Sequence, residues 1–498
     1  MAYKADSIFK NQFFNFSMQI LNLIFPLLAI PYTTRLFGPE ILGEVNFANS
    51  IVQYFILIAA AGIPVYATRE IAKARDNASL LRKKFKEFTI LQIVFTLLSL
   101  VIYIGTILFM PNLRANMYIY LFLGLQIFAN AFDFVWFLQG IEKYRYAAIA
   151  TFISKLINVV LIFALLRSRS DYYIYSFIIG ITLLINSIIK MMFTIKLLKN
   201  FNAKESLEVN LQSVKMHIYA IMVFFLSNIA TKVYTAMDQT MLGILDSAEA
   251  VGYYSMSIRL EKVILTFVTS IAVVMLPRIS NSIKNNNIKD VKKYVGMSVN
   301  IVYLIAIPAV FGILSIGEEI VPIFLGKEFL QSVGIFKIVS LLLVIIGLSN
   351  VFGIQVMIPY GKEKKFTLIL SSAALVNFVI NLILIPRFSY FGATYATIFA
   401  ELLVTVWMYF EVKKLVGYIP EIHRPWKMLI PSILFYLVIK FVIKGIITSD
   451  ILVILISVPI AGVIYGIGLI LLKEKITMNI LNKIINKFKS RENMEKIG

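Results

Sequence analysis

Charged side chains interrupt the long apolar runs of this sequence, and they are the residues best able to do chemistry. The cations are Arg35, Lys155, Lys232, Arg259, Lys262 and Lys337, and the main carboxylates are Asp133, Asp238 and Glu401. A charge inside hydrocarbon is costly, so such residues face a water-filled cavity or a partner. Because the cations outnumber the acids, the sequence predicts a positively charged cavity that attracts a phosphate or another anion.

The carboxylates indicate a second chemistry. Asp133, Asp238 and Glu401 could each bind a proton or a sodium ion, since a low-dielectric cavity disfavours a bare carboxylate. Cysteine is absent, the two histidines are His217 and His423, and the sequence has no Gly-rich phosphate loop and no HExxH motif. We therefore predict no metal site, no cofactor and no catalytic residue. The protein would not be an enzyme, and an H⁺ or Na⁺ gradient or the membrane potential would supply energy.

The elements that position these charges are transmembrane helices. Of the 498 residues, 59% are hydrophobic and 15% are charged, whereas a soluble protein carries about 25% charged residues. Spans of about 20 apolar residues cross the hydrocarbon core of a bilayer. Fourteen are predicted, at about 12–34, 43–66, 88–110, 117–139, 147–166, 173–195, 216–240, 252–276, 297–316, 333–357, 366–385, 391–410, 428–446 and 451–472.

The distribution of basic residues predicts how these spans are oriented. Of 48 Lys and Arg residues, six fall in the predicted outer loops and eight within spans, and the rest lie in the alternate loops and the tails. By the positive-inside rule, both termini are cytoplasmic. The net charge of +21 then belongs to the inner membrane face, where it attracts anionic lipids. We therefore predict no nucleic-acid partner. The first apolar run is too long for a cleavable signal peptide.

Two stretches recur along the chain. Leu42–Ile51 resembles Val251–Ile258, about 209 residues later, and Gly140–Leu165 resembles Gly361–Ile385. Both pairings set spans 1–6 against spans 7–12, and halves of six spans enter the membrane in the same orientation. The sequence predicts two six-helix lobes related by a pseudo-two-fold axis along the membrane normal. The predicted domains are an N-lobe at 1–200, a C-lobe at 201–415, helices 13 and 14 at 416–472, and a tail at 473–498.

The predicted tail reads as a basic amphipathic helix. Its apolar residues share one helical face, and lysines occupy the other. Such a helix lies on the inner leaflet. The apolar residues are Met478, Leu481, Ile484, Ile485 and Phe488.

The stretch 30–77, IPYTTRLFGPEILGEVNFANSIVQYFILIAAAGIPVYATREIAKARDN, resembles the start of Wzx-type polysaccharide repeat-unit flippases. These belong to the multidrug/oligosaccharidyl-lipid/polysaccharide (MOP) exporter superfamily. Phe134–Ile149, FVWFLQGIEKYRYAAI, is similar to the family's junction between spans 4 and 5. Thr34–Gly38 also resembles an S/T-R-x-x-G string of the lipid II flippases, so the resemblance implies a diphosphate-binding role for Arg35. Their second arginine, on helix 2, has no clear match.

The resemblance implies an all-α membrane protein of about fourteen helices with the MOP flippase fold. Its implied function is to move undecaprenyl-diphosphate-linked oligosaccharides from the inner to the outer leaflet of the bacterial cytoplasmic membrane by alternating access. The six cations would hold the diphosphate or an acidic sugar. A monomer is expected, with membrane lipids and the polymerase and glycosyltransferases of the same pathway as partners.

Two other functions stay open at this point. A cation-coupled multidrug exporter of the same superfamily would have an acidic or neutral cavity lined by aromatic residues, against the positive balance counted above. A membrane polysaccharide polymerase or glycosyltransferase would need a sizeable outer loop for its catalytic residues. The longest predicted outer loop, at 317–332, has only about sixteen residues.

Overall fold

The computed structural model describes residues 8–201, 208–479 and 481–482, and their regular secondary structure is helical. Lys232 is among the helical residues whose side chains lie outside this description. The α-helices are α1 Ile8–Ala60, α2 Ile63–Ala74, α3 Ala78–Phe109, α4 Pro111–Ala115, α5 Met117–Asn130, α6 Val135–Gly140, α7 Tyr144–Leu165, α8 Tyr172–Lys199, α9 Leu211–Leu245, α10 Ala248–Thr269, α11 Ile271–Lys284, α12 Ile288–Leu325, α13 Ser332–Val339, α14 Leu342–Asn350, α15 Glu363–Val416, α16 Trp426–Val438, α17 Lys444–Ile446 and α18 Asp450–Leu471. Two π-helical segments, Val351–Met357 and Ile439–Ile443, follow α14 and α16.

Ten segments of the described chain are long and apolar enough to cross a membrane. Two of them, Ile24–Ala74 and Glu363–Val416, have 51 and 54 residues, more than twice the ~20 residues that one crossing needs. Each therefore holds two of the predicted spans, and α9 and α10 hold the predicted spans 7 and 8. An all-helical, multi-pass membrane protein with about fourteen transmembrane helices is thereby confirmed.

The two long segments change direction at residues with positive φ. Gly38 has φ 70° and ψ 179° inside α1, a conformation that glycine adopts at little cost. Pro39 follows directly, and the chain turns between Phe37 and Glu40. In α15 the break falls at Ser389, with φ 52°. The boundary between predicted spans 11 and 12 is therefore a sharp corner rather than a loop.

The predicted repeat is visible in the helix boundaries. α1 ends at Ala60 and α10 ends at Thr269, 209 residues later. Asn77 caps α3 and Asn287 caps α12, and each side chain accepts a hydrogen bond from the backbone N–H three residues on, at 3.0 and 3.1 Å. The helix ends are 209 residues apart and the caps 210, so they match to within one residue, which supports the predicted internal duplication.

The chain forms two compact units. One is drawn from Met1–Ser255 with Leu370–Ala393, and the other from Met256–Ile369 with Thr394–Gly498. The first has an aromatic core around Trp136, and the second has an apolar cluster around Phe435. These units do not follow the domain boundaries predicted at 200/201 and 415/416, which stay a prediction.

The start of the predicted tail helix is fixed by Glu474. This buried carboxylate accepts hydrogen bonds from the backbone N–H groups of Ile476 (2.9 Å) and Thr477 (2.7 Å), from the Thr477 hydroxyl (2.8 Å), and from Asn300 Nδ2 on α12 (2.6 Å). Residues 475–479 are helical, so Glu474 acts as the N-cap. Met478 and Leu481 are described, whereas Ile484, Ile485 and Phe488 lie outside the described residues.

We expect Glu474→Gln to loosen the tail helix. Burial raises the pKa of Glu474, but these four hydrogen bonds outweigh burial and lower the pKa overall. The stabilisation is therefore present at neutral pH and is lost as the pH falls through the depressed pKa. An N-cap contributes about 1 kcal/mol, so the amides of Ile476 and Thr477 should exchange hydrogen about fivefold faster in the variant. Unchanged exchange, with Lys475→Gln as the exposed control, would contradict the assignment.

Candidate functional site

Arg35 and Lys155 lie on two helices that pack together. Arg35 is exposed on α1, three residues before the Gly38 break, and its guanidinium donates to the Pro31 carbonyl at 2.7 Å. Lys155 is half-buried near the middle of α7, which packs along α1 through the ring pair Phe25–Phe152, among other contacts. The first unit thus places Arg35 at the outer end of predicted span 1 and Lys155 near the middle of predicted span 5.

Asp133 is already charge-compensated. Both of its carboxylate oxygens lie 3.1 Å from Lys190 Nζ, and Oδ1 also accepts from the Val135 N–H at 3.1 Å. The residue therefore links α8 to the break between α5 and α6. The ion pair and the backbone contact give Asp133 a structural role, which makes it a poorer candidate for binding a transported cation.

Lys337 belongs to an ion-pair cluster rather than standing alone. Its ammonium lies 2.6 Å from a Glu318 carboxylate oxygen, and Lys444 lies 3.3 Å from Glu318 and 2.7 Å from Glu319. The cluster joins α12, α13 and α17, at the predicted outer ends of spans 9, 10 and 13. With two lysines and two glutamates, it has no net excess of positive charge to offer an anion.

Three further predicted residues, Arg259, Lys262 and Glu401, lie in the second unit together with the buried acid Glu261. Arg259 is half-buried and Lys262 is exposed on α10, and their i,i+3 spacing places them on neighbouring positions of one helical face. Between them, Glu261 is 1% exposed, and its Oε1 makes no hydrogen bond within the described part of the chain. Glu401 on α15 lies within electrostatic range of Glu261. Lys232, the remaining predicted cation, lies outside the described side chains.

Asp238 lies at the centre of a buried polar cluster in the first unit. Tyr254 Oη donates to its Oδ2 at 2.6 Å, and Asn381 Nδ2 donates to its Oδ1 at 2.7 Å. Asn381 also donates to Asn377 Oδ1 at 3.1 Å. Asp238 is 7% exposed, and both asparagines are fully buried. The cluster therefore gathers a carboxylate and several oxygen acceptors from α9, α10 and α15.

The cluster is not internally satisfied. Asn381 Oδ1 and Asn377 Nδ2 are enclosed and make no hydrogen bond among the described residues, which normally costs about 1–3 kcal/mol per group. A carboxylate beside an unsatisfied amide oxygen is the donor set that a hard monovalent cation or a proton prefers. Of the three carboxylates predicted for ion coupling, Asp238 therefore has the surroundings that best fit this chemistry.

The two copies of the repeat cross each other at the predicted outer side, near the Gly38 break of α1 and the junction of α9 with α10. Asn46 Nδ2 donates to Ser255 Oγ at 2.9 Å, and these positions are separated by the repeat offset of 209 residues. A Cβ at Gly43 would overlap the Ala248 carbonyl, and a Cβ at Gly252 would overlap the Pro39 carbonyl. Gly43 and Gly252 are 209 residues apart, and so are Pro39 and Ala248. The two contacts therefore pair the same two repeat positions with the copies exchanged, as in an isologous two-fold interface. The pseudo-two-fold relation is thus expressed in direct contacts between the copies.

Sequence comparisons cover most of the chain. The family model described as polysaccharide biosynthesis protein matches residues 8–283, and the MatE model matches residues 223–383. A putative O-antigen transporter of Escherichia coli (strain K12) is 27% identical over 409 residues, covering 82% of this chain and 97% of that protein. A probable low-salt glycan biosynthesis flippase of Haloferax volcanii is 29% identical over 177 residues, covering 34% and 36%.

Solved structures share the fold. The lipid II flippase MurJ in an inward closed conformation matches with a TM-score of 0.70 and 17% identity, covering 92% of this chain and 98% of that one. An inward-facing multidrug resistance MATE family transporter matches with a TM-score of 0.62 and 12% identity, covering 80% and 95%. At these identities the likeness establishes the fold alone.

Proposed function

We propose that this chain, which belongs to the polysaccharide biosynthesis protein family and has the fold of the MOP exporters, is a flippase for lipid-linked oligosaccharides. The observation that carries the proposal is the family match over residues 8–283. The flippases and O-antigen transporters among its relatives support it. The cargo would be an undecaprenyl-diphosphate-linked repeat unit of a capsule, exopolysaccharide, teichoic acid or O-antigen, moved from the inner to the outer leaflet.

The positive cavity would bind the diphosphate or an acidic sugar. Arg35 and Lys155 are the strongest candidates, since they lie on adjacent helices at different depths of the first unit. Arg259 and Lys262 would contribute from α10, and Lys232 from α9. Lys337 is the weakest of the six because Glu318 engages its ammonium.

Alternating access is the proposed mechanism. The crossing at Gly43 and Gly252 would hold the outer end closed and would part when cargo is released to the outer leaflet. Asp238 would bind the coupling H⁺ or Na⁺, with Glu401 next in order and Asp133 last because Lys190 already compensates its charge. The protein would work as a monomer in the bacterial cytoplasmic membrane, with both termini inside. It would act beside the polymerase and glycosyltransferases of its pathway.

A second candidate function is a cation-coupled multidrug exporter, which the MatE match over residues 223–383 favours. The two functions make different demands on the cavity. A cationic drug is repelled by Arg35 and Lys155, whereas a diphosphate is attracted by them.

Depletion of the protein followed by mass spectrometry of lipid extracts separates these candidates. We expect one polyprenyl-diphosphate oligosaccharide to accumulate on the cytoplasmic side, because synthesis continues while translocation stops. The mass of that lipid would identify the cargo. No accumulation, together with greater sensitivity to cationic drugs, would overturn the flippase proposal and favour the exporter.

A further inference from the structure

A cavity of about 290 Å³ lies in the second unit, where three predicted inner loops meet. Its walls come from the junction of α11 with α12, from Pro359 and Tyr360 after the first π-helical segment, and from Leu415 at the end of α15. Ser282, Val291, Pro359 and Leu415 lie two to six residues beyond the predicted ends of spans 8, 9, 10 and 12. At a rise of 1.5 Å per residue, the cavity lies no more than about 9 Å outside the hydrocarbon core, at the depth of the lipid headgroups.

In the first copy of the repeat, apolar side chains fill the equivalent corner. Leu138 and Ile141 are fully buried there, and Phe201 packs against the same core. The repeat match described above aligns Leu138 with Pro359 and Ile141 with Lys362. A proline ring and a charged side chain therefore replace two aliphatic side chains of the first copy.

The counterpart of Phe201 also leaves this corner. Phe201 is the second residue after the end of α8, and Tyr418 is the second residue after the end of α15. Tyr418 is 55% exposed, and its ring stacks on that of His423 at a centroid distance of 5.3 Å. The second copy has thus lost three of the groups that fill the first, and the cavity lies where they would be.

The surroundings of the cavity are positively charged. The segments 282–293, 359–365 and 411–417 carry nine lysines and three acidic residues, and none of the residues that line the cavity is acidic. The amide of Asn286 and the hydroxyl group of Tyr360 are among the lining groups, and both can donate hydrogen bonds. Neutral donors inside and an excess of lysines outside favour an anion over a cation.

Some of these lysines are already paired, and others are available to a ligand. Lys365 and Lys414 lie 2.7 and 3.0 Å from carboxylate oxygens of Glu411. Lys284 follows the lining residue 283, and Lys362 lies two residues after Tyr360. Among the described residues, Lys284 and Lys362 make no ion pair. Their charges are therefore not compensated within the protein.

We propose that this cavity is a binding site for the headgroup phosphate of an anionic phospholipid in the inner leaflet. Basic pockets between transmembrane helices on the cytoplasmic side bind such headgroups. The lysines attract the phosphate, and apolar lining residues such as Ile288 contact the glycerol and the first carbons of the acyl chains. The bound lipid holds together three inner loops of the second unit. This inference goes beyond the proposed function and does not depend on which cargo the protein moves.

A single cysteine in the cavity tests the proposal on the full chain. The sequence has no cysteine, and Ile288, the first residue of α12, lines the cavity and is 52% exposed. Ile288→Cys would be modified with N-ethylmaleimide, an uncharged reagent, in nanodiscs of phosphatidylglycerol or of phosphatidylcholine. We expect modification to be at least about fivefold slower in phosphatidylglycerol, as for a cysteine covered in four-fifths of the molecules. Equal rates in the two lipids would overturn the proposal.

Ala78→Cys is the matched control for the reporter, because Ala78 is the first residue of α3 and aligns with Ile288 in the repeat. Its modification should be equally fast in both lipids, since the first copy has its corner filled. The same slowing at both cysteines would show a general effect of the charged bilayer and would contradict a specific site. Glycerol 3-phosphate added to phosphatidylcholine nanodiscs should give no protection of Ile288→Cys. Full protection by this soluble phosphate would overturn the assignment to a lipid.

The lysines are tested in the Ile288→Cys background. A lysine near the surface contributes about a fivefold gain in affinity for anionic lipid, so Lys284→Gln together with Lys362→Gln should reduce the protection to below about twofold. Lys86→Gln together with Lys199→Gln removes the same charge from the predicted inner face of the first unit, where both lysines are exposed. This second pair should leave the protection unchanged. Protection that survives the loss of Lys284 and Lys362, or that is lost equally in both pairs, would overturn the proposal.

Discussion

Replacing Asp238 with asparagine should reduce transport at least about tenfold, which corresponds to ~1.4 kcal/mol, while the protein stays at its normal level in the membrane. Asparagine keeps the shape of the side chain and can still contact Tyr254 and Asn381. It loses the negative charge that would hold a cation or a proton. The change therefore removes ion binding with little effect on packing, whereas Asp238→Ala would also remove one of the two acceptors of Asn381 Nδ2.

Two measurements separate ion coupling from general damage. Transport of a labelled lipid-linked oligosaccharide into proteoliposomes, under imposed H⁺ or Na⁺ gradients, gives the rate and its ion dependence. The melting temperature of the purified protein gives binding directly, since a ligand bound only by the folded state stabilises it by mass action. We expect the wild-type protein to respond to one of the two ions in both measurements and Asp238→Asn to respond in neither.

Asp133→Asn is the matched control, because it also removes one carboxylate from a membrane-spanning part of the first unit, at a half-buried position. It breaks the pair with Lys190, so its expected effect is a lower melting temperature with the ion dependence of transport retained. If Asp133→Asn abolished the ion response and Asp238→Asn left it intact, the assignment of the coupling residue would have to be reversed.

The sequence was sufficient for the fold because each of its signals is local. Apolar runs of about 20 residues define spans, Gly38 next to Pro39 defines a turn, and the recurrence of Leu42–Ile51 at Val251 defines the repeat. The two long helices are the exception. The hydropathy pattern marks one span on each side of Ser389, but it does not show that the two spans meet at a single non-helical residue.

The site was less predictable because charge compensation depends on partners distant in sequence. Lys337 reads as a lone cation, and Asp133 as a lone acid, until Glu318 and Lys190 are placed beside them, 19 and 57 residues away. Asn381 gave no signal of its own. Asn377, four residues before it, lies in the repeated stretch Gly361–Ile385 and carried no other signal. The two histidines gave no sign of a shared site, and His217 contacts Lys84 and Glu87, which lie more than 125 residues earlier.

Gly43→Ala should open the outer end of the protein. The added methyl group would overlap the Ala248 carbonyl, which is backbone and cannot rotate away. Overpacking of a close contact costs about 1–3 kcal/mol, enough to shift a two-state equilibrium about fivefold or more towards the state in which the helices have parted. Gly252→Ala should act in the same way through Pro39, because the two glycines occupy equivalent positions of the repeat.

A buried reporter at the crossing shows whether the helices part. Ser255→Cys is a conservative change at a position that is 4% exposed and accepts from Asn46, and the chain has no other cysteine. A membrane-impermeant thiol reagent added from outside should modify this cysteine several-fold faster in the Gly43→Ala background. The increase in the modification rate should be about as large as the shift in the two-state equilibrium.

Gly105→Ala is the control, since no atom of the described residues beyond its own stretch of helix lies within 4 Å of a Cβ built there, and alanine favours the helix by about 1 kcal/mol. It should leave the modification rate unchanged. The reporter also separates a structural role of the crossing from a role in transport. If the crossing is only structural, the Gly43→Ala variant should unfold and be lost from the membrane. A crossing that parts during transport would leave the variant folded, reactive and slow to return to the inward side. Normal reactivity together with normal export in Gly43→Ala would show that the glycine crossing is not what keeps the outer end closed.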